Sequence, residues 1–325
     1  MADKLWVLIA TAGRPTLLGR TLKFLAEAEK PPEYAGTLVV ENGPPCGVAD
    51  IVRSFARQHR FAYLSVPEPN KSHALNCGLA QLEDGLLFLT DDDVRVDPHV
   101  LTAYVEAARE VPQGAFFGGP VHVDAPHGLP PQWMRRYYPH TIVQSWHLAH
   151  HAPTVVAGQT FMGTNWAAFA SDLWAAGGFD TRLGPGSPVK AAGDETEAQW
   201  RLLERGLWAV YVPGAVVWHY LHPQYLDPQW LLRRTYGHGL TWGIRRTRHG
   251  QPMVGLLARA ALGRAHATLK AHVMRLFGFP DQQFGALWQQ AKWRGRWDGL
   301  WLGRKWDTLP QIPLPTRCSA TARAA

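Results

Sequence analysis

Cysteine is scarce in this chain of 325 residues, and the three that occur, Cys46, Cys77 and Cys318, stand far apart. An odd number without paired spacing argues against a disulfide framework and against a zinc site, and for a reducing compartment. Long apolar runs are also lacking. None approaches the roughly 18 residues of a membrane span, so no transmembrane helix is expected. The start, "MADKLWVLIATAGRP", carries charge before a short apolar run and does not read as a signal peptide. These absences point to a cytoplasmic protein. The G-x-G-x-x-G of dinucleotide-binding oxidoreductases does not follow that first run either; "TAGRP" stands there instead.

Charge is abundant but unevenly placed. The net charge of +7 divides into about +13 from Arg233 onward and about −6 before it. An acidic front and a basic tail suggest different partners, a metal for the first and an anionic surface for the second.

The first hundred residues alternate between short apolar runs and amphipathic stretches. "LWVLIAT", "TLVVEN", "FAYLSVPEP" and "GLLFLTDDD" each precede a segment with helical spacing, the last being "DPHVLTAYVEAARE". Such alternation predicts βαβ units and a parallel sheet. Ligands of these sheets bind beyond the carboxyl ends of the strands. Four polar segments fall there: Thr11–Arg14, Glu41–Asn42, Pro67–Lys71 and Asp91–Asp93. From 112 to 222 the chain is richer in Gly, Pro, Trp and His, and reads as mixed strands, a loop around 182–193 and a helix from about Glu195 to Glu204. Residues 1–222 are expected to form one α/β unit, with halves at 1–111 and 112–222. Residues 223–310 read as a basic, tryptophan-rich helical extension, and 311–325 as a tail without fixed structure.

Three adjacent aspartates repel one another unless something neutralises them. Oxygens at the end of a buried strand suit a hard divalent cation, Mg2+ or Mn2+. In an extended segment Asp91 and Asp93 would face one side and Asp92 the other. Asp93 or Asp97 also suits the cap of a helix starting at Pro98.

The order of segments resembles the inverting glycosyltransferases of family 2, with their GT-A fold. "LIATAGRP" is similar to their first strand, "LVVENG" to the second, and "NKSHALNCGLA" to the segment with a basic residue and Asn-x-Gly. "FLTDDDVRVDP" resembles their aspartate motif. "GTNWAAFASDLWAAGGFDTRLGPG", "GDETEAQWRLLERG" and "YVPGAVVWHYLHP" resemble the later blocks. The resemblance covers about residues 4–240. It implies an α/β fold with a mixed, mostly parallel sheet flanked by helices, a nucleotide-diphosphate sugar donor (a UDP-sugar foremost), a metal ion and an inverting outcome.

The resemblance also implies roles. Asp91 and Asp93 would hold the metal, with His219 as a further ligand; a packed structural histidine is the other reading of His219. Thr11, Arg14, Glu41, Lys71, Asn76 and Asp92 would meet the donor, and Asn165 and Glu197 the acceptor. Lys71 also fits a solvated loop lysine. An inverting transfer needs a base for the acceptor hydroxyl. Family members carry Glu then Asp, with the second as base; here Asp194 precedes Glu195, so Glu195 is favoured over Asp194. Asp194 with Glu197 also fits a capping box. Trp166 and Trp218 fit either sugar stacking or core packing. Gly163 would allow close approach of a substrate, and "SPVKAAG", with Gly184, Gly186 and Gly193 as hinges, a mobile lid.

In the tail, Leu262, His266, Leu269, Val273 and Phe277 share a helical face, and Arg264, Lys270 and Arg275 lie off it. Trp293, Trp297 and Trp301 recur every four residues among Lys292, Arg294, Arg296 and Arg304. The composition of 255–306 fits peripheral contact with an anionic membrane or packing of the tryptophans onto the α/β unit. The acceptor is left open between a saccharide and a lipid-linked molecule, and no nucleic acid is expected. The competing readings are a nucleotidyltransferase, which would need a glycine-rich triphosphate loop, and a protein gripping an anionic polymer through its tail.

Overall fold

The computed structural model describes residues 3–111, 114–139 and 143–317. In chain order the elements are β1 (Leu5–Thr11), α1 (Pro15–Glu27), β2 (Tyr34–Asn42), α2 (Val48–Ala56), β3 (Phe61–Val66), α3 (Lys71–Gln81), β4 (Leu86–Asp91), β5 (Val94–Val96) and α4 (Val100–Glu110). Then come β6 (Ala115–Gly118), β7 (Val121–Asp124), α5 (Gln132–Arg135), β8 (Thr154–Val155), β9 (Asn165–Phe169), α6 (Ala170–Ala175), α7 (Asp194–Glu204), β10 (Trp208–Tyr211) and β11 (Val217–Tyr220). Three long helices follow: α8 (Pro228–Arg248), α9 (Met253–Leu276) and α10 (Pro280–Arg304).

The alternating runs of the first hundred residues form the parallel half of an eight-stranded sheet with strand order β3-β2-β1-β4-β9-β6-β10-β8. β1 pairs in parallel with β2 and β4, and β2 with β3; β9 inserts antiparallel between β4 and β6. Successive residues of β1 point to opposite faces, as a pleat requires. Leu5, Val7 and Ile9 enter one apolar cluster, and Leu8 and Ala10 the other. The register brings the strand ends together, with Thr11 opposite Glu41 and Ala10 opposite Asp91.

A second sheet of three short strands, β5-β11-β7, lies just past the aspartates. β11 pairs antiparallel with β5, setting His219 opposite Val94. The backbone N–H of Tyr220 donates to the Asp93 carbonyl at 2.9 Å. This sheet is what carries His219 to the aspartate turn.

The helix expected from Pro98 begins at Val100, because Asp97 turns back to accept from the His99 N–H. Neither Asp93 nor Asp97 caps it by side chain. α7 begins at Asp194, after Gly193 in the left-handed region at φ 90°. α8 starts with Pro228 at its first turn and Asp227 as cap, the latter accepting from the Gln229 and Trp230 N–H groups.

α8 and α10 pack through glycine. A methyl added at Gly243 would sit 2.5 Å from the Arg296 carbonyl oxygen, and one at Gly299 would sit 2.9 Å from Leu240 Cα. The two backbones touch, which no residue with a Cβ permits. Residues 311–317, expected to lack fixed structure, instead lie against the α/β unit. Thr181 Oγ1 accepts from the Ile312 N–H at 2.8 Å, and the Arg317 guanidinium sits 5.8 Å from the Trp174 ring centre. The remainder of the tail, with Cys318, lies outside the described residues.

Candidate active site

The carboxyl ends of β1 and β4, the start of α3, the turn before β9, the first turn of α7, the end of β11 and one face of α8 enclose a cleft of about 1000 Å³. Thr11, Arg14, Lys71, Asp91, Asp93, Asp194, Glu195 and His219 all line it. Eight of the residues marked from the sequence are therefore brought together.

The aspartates leave β4 in a turn rather than a continuous strand. Thr21 pins that turn, accepting from the Val94 N–H and donating to the Asp92 carbonyl. Asp91 and Asp93 end on one side, and each offers an oxygen within 4.8 Å of the other and of a His219 ring nitrogen. His219 Nε2 lies 3.5 Å from Asp93 Oδ1. That oxygen is buried and has no hydrogen-bond partner. A buried carboxylate oxygen without a partner costs free energy unless a cation meets it. Two carboxylate oxygens and one imidazole nitrogen converge on that point, a donor set that suits Mn2+ and, with less preference for nitrogen, Mg2+.

Asp92 turns the other way. It is fully buried, accepts from Thr11 Oγ1 at 2.5 Å and pairs with Arg14. Burial pushes its carboxyl up to about 7, against the opposing pull of Arg14. Arg14 also donates to Asp93 Oδ2 at 2.8 Å. Burial would lower the Arg14 guanidinium, but Asp92 and Asp93 outweigh it and raise it. Arg14 thus splints the aspartate turn from behind while it lines the cleft.

Lys71 opens α3 directly after its cap Asn70, which accepts from the His73 N–H. Its Nζ lies 2.7 Å from Asp91 Oδ1 and also bonds Glu195 Oε1. Burial alone would lower the ammonium; Asp91, Glu195 and Asp194 together raise it well above the usual lysine value. This is not a solvated loop lysine. It joins the aspartate cluster to the first turn of α7.

The two adjacent carboxyls of α7 differ in environment. Asp194 is 3 % exposed, and burial followed by the charge of Glu195 pushes its carboxyl well up. Glu195 is also pushed up by burial, but Lys71 overcomes this and leaves it below the usual glutamate value. The same helix turn thus raises one carboxyl and lowers its neighbour. Glycine makes room for both. A Cβ at Gly163 would fall 2.5 Å from Glu195 Cδ, and one at Gly184 would fall 2.6 Å from Asp194 Cγ. Gly163, which also lines the cleft, thus admits the Glu195 carboxyl. Asp194 makes no side-chain cap of α7, so the capping box is not formed.

Four other marked residues face inward and do not line the cleft. Glu41, 1 % exposed, accepts from the Cys46 N–H and from Tyr63 Oη. Those hydrogen bonds outweigh burial and hold it below the usual glutamate value. Asn76 bonds both polar backbone groups of Phe179. Asn165 accepts from Tyr104 Oη and donates to the Pro120 and Ala215 carbonyls. Glu197 pairs with Arg201 and Arg248. Each has its polar atoms bonded within the protein. Trp166 is fully buried against Phe179, and Trp218 stacks under Arg95 outside the cleft. Neither offers a face to a sugar bound there.

The 182–193 loop is not built as a hinged lid. Ser72 Oγ donates to the Leu183 carbonyl at 3.0 Å, Lys71 N–H to the Pro185 carbonyl, and Asn70 to the Thr181 carbonyl. Leu183, Ser187 and Ala191 are buried. Arg182 forms a bidentate pair with Asp180 and donates to the Trp306 carbonyl, tying the segment after α10 to the α/β unit.

One wall of the cleft went unmarked in the sequence. Tyr225 stacks on His219 with ring centres 6.5 Å apart, and Trp230 lies 4.3 Å from Tyr225. Trp230, Arg234 and His238 follow at four-residue steps along α8 and all line the cleft. Arg234 Nε is buried without a partner, and the side chain makes no ion pair among the described residues. The four-residue spacing was visible, but nothing in it says which face of α8 meets the cleft.

The model of the glycosyltransferase-like family 2 matches residues 2–235. No curated protein matches the chain. Among solved structures, the chain is similar to the mannosyltransferase PcManGT from Pyrobaculum calidifontis in complex with GDP-Man and Mn2+, at 17 % identity and a TM-score of 0.57 over 93 % of this chain and 88 % of that one. It is similar to S. aureus TarS residues 1–349, at 13 % identity and 0.50 over 89 % and 90 %. It is also similar to GalNAc-T7 with UDP, GalNAc and Mn2+, at 11 % and 0.53 over 73 % and 47 %. The fold is the GT-A fold that the sequence resemblance implied.

Proposed function

The chain belongs to the glycosyltransferase-like family 2, and from that premise we propose that it moves a sugar from a nucleotide-diphosphate donor to an acceptor hydroxyl, with inversion at the transferred carbon. The observation that carries this reading is the bridge from Asp91 through Lys71 to Glu195. On this reading it links the aspartates of the cation site to the carboxylate that serves as base.

Asp91, Asp93 and His219 would hold Mn2+ or Mg2+, which when bound supplies positive charge for the leaving diphosphate. The rest falls to the chain. Arg234, without an acidic partner among the described residues, offers its guanidinium to phosphate oxygens from the α8 wall. Thr11 and Arg14 fix the aspartate turn. Trp230 and Tyr225 present ring faces to the cleft, which suits a sugar or a base. Glu195 takes the acceptor's proton at its carboxylate while the hydroxyl attacks. Lys71 keeps that carboxylate ionised and oriented. The acceptor is a saccharide or a lipid-linked molecule. UDP is the first nucleotide to try, followed by GDP, the nucleotide part of the GDP-Man in the PcManGT complex.

The test is thermal unfolding with UDP, GDP, dTDP and CDP, each with and without Mn2+, repeated on Asp93→Ala. A ligand that binds only the folded state raises the melting temperature by mass action. One nucleotide should stabilise the protein only with Mn2+, and the variant should lose the effect. If no nucleotide raises the melting temperature with Mn2+, the reading fails.

A further inference from the structure

α9 packs the wrong way round for a helix meant to face only water. Its buried residues are small: Ala260, Ala267 and Ala271. Met253, Leu256, Leu257, Val273 and Met274 are half-buried, but four large apolar residues point out. Val254 is 84 % exposed, Leu262 72 %, Leu269 66 % and Leu276 83 %. The leucines recur every seven residues, and Ala258, Ala265 and the exposed His272 fill the same stripe. The stripe runs about 33 Å along the helix at 1.5 Å per residue. Phe277 and Phe279, both exposed, extend it into the turn before α10. A soluble helix normally buries its leucines and exposes its small or polar residues.

The charges beside the stripe share one sign. Arg259 and Lys270 flank it on one side and Arg264 and Arg275 on the other, all exposed. α9 contains no Asp or Glu. The tryptophans of α10 take little part. Trp293 fills the space beside Gly263, Trp297 is half-buried, and Trp301 alone of the three is exposed.

We propose that α9 lies flat on a membrane surface containing anionic lipids, its Val254–Leu276 stripe inserted at the headgroup boundary and its four cations on lipid phosphates. The charge pattern selects this occupant. A second copy of α9 laid against the first would oppose cations to cations with no carboxylate to offset them. An anionic leaflet neutralises all four. Among the described residues no helix is long and apolar enough to cross a membrane, so the contact is peripheral.

The experiment is flotation of the full-length chain with two kinds of vesicle, phosphatidylcholine alone and phosphatidylcholine with phosphatidylglycerol. It needs neither donor nor acceptor, so its outcome is independent of the catalytic reading. The wild type should float with the anionic vesicles, less with the neutral ones, and less at high salt. Leu262→Glu combined with Leu269→Glu should lower partitioning on the order of 100-fold or more, since two leucines no longer leave water. Both positions are exposed, so the variant's melting temperature should match the wild type, which separates lost binding from lost folding. A wild type that stays at the bottom with anionic vesicles, or a double variant that floats equally well, overturns the proposal. So does a wild-type dimer in sedimentation that the double variant splits, since the stripe would then be occupied by a second copy.

Discussion

A methyl group on the Cα of Gly163 would fall 2.5 Å from the carboxyl carbon of Glu195. Gly163 has no positive φ, so alanine fits its backbone and the crowding alone is at issue. The Gly163→Ala variant should push the Glu195 carboxylate off its position beside Lys71. Displacing a reacting group by about 1 Å can cost on the order of 100-fold in rate. Turnover should fall by roughly that factor, while nucleotide binding with Mn2+ stays within a few-fold of the wild type.

Lys71→Met removes the ammonium held between Asp91 and Glu195. Two carboxylates would then face each other with no cation between them. Loss of one partner from a buried pair typically costs about 3–5 kcal/mol; the pair here retains some solvent contact, so about 2 kcal/mol is expected. Saturating Mn2+ should recover part of this loss, because a cation at Asp91 and Asp93 offsets the same charge. Urea unfolding with and without Mn2+ measures both.

Asp180 should make stability pH-dependent. Burial raises its carboxyl, but the hydrogen bonds from Arg182 outweigh burial and hold it below the usual 3.8. A depressed carboxylate stabilises the fold above its unfolded value and loses that contribution as pH falls through the folded one. Asp180→Asn should therefore cost about 3 kcal/mol at neutral pH by leaving Arg182 buried and unpaired. The gap to the wild type should narrow below about pH 3.8. Chemical unfolding across the acid range gives the curve.

At Gly299 a methyl would meet Leu240 backbone atoms at 2.9 Å, and backbone cannot swing aside as a side chain does. Gly299→Ala should separate α8 from α10 at a cost of about 1–3 kcal/mol. Because α8 forms a wall of the cleft, nucleotide binding should weaken in parallel. A stability loss without any change in binding would mean that the wall does not depend on this contact.

The sequence was legible where one pattern had one structural outcome. Four apolar runs alternating with helices became the parallel strands β1 to β4, and the polar segments after β1 and β4 met at the rim. Asp91, Asp93, Lys71 and Glu195 stood out because charged residues at the ends of buried strands and helices have few other places to go. A motif does not show which way a polar atom turns. Glu41, Asn76 and Asn165 sit inside recognisable segments, yet their side chains bond Tyr63, Phe179 and Tyr104 in the interior. The Tyr225, Trp230 and Arg234 wall was hidden because its position depends on how α8 packs against α10. That packing rests on glycines, which leave no apolar periodicity to read.

The most direct measurement is turnover by Glu195→Gln against the wild type, followed as nucleoside diphosphate released from a sugar nucleotide with Mn2+ and acceptor present. The substitution keeps the shape and removes the base. If Glu195 takes the acceptor's proton, kcat should fall by on the order of 1000-fold, with nucleotide affinity held within a few-fold of wild type. Turnover equal to the wild type would place the base elsewhere and contradict the account.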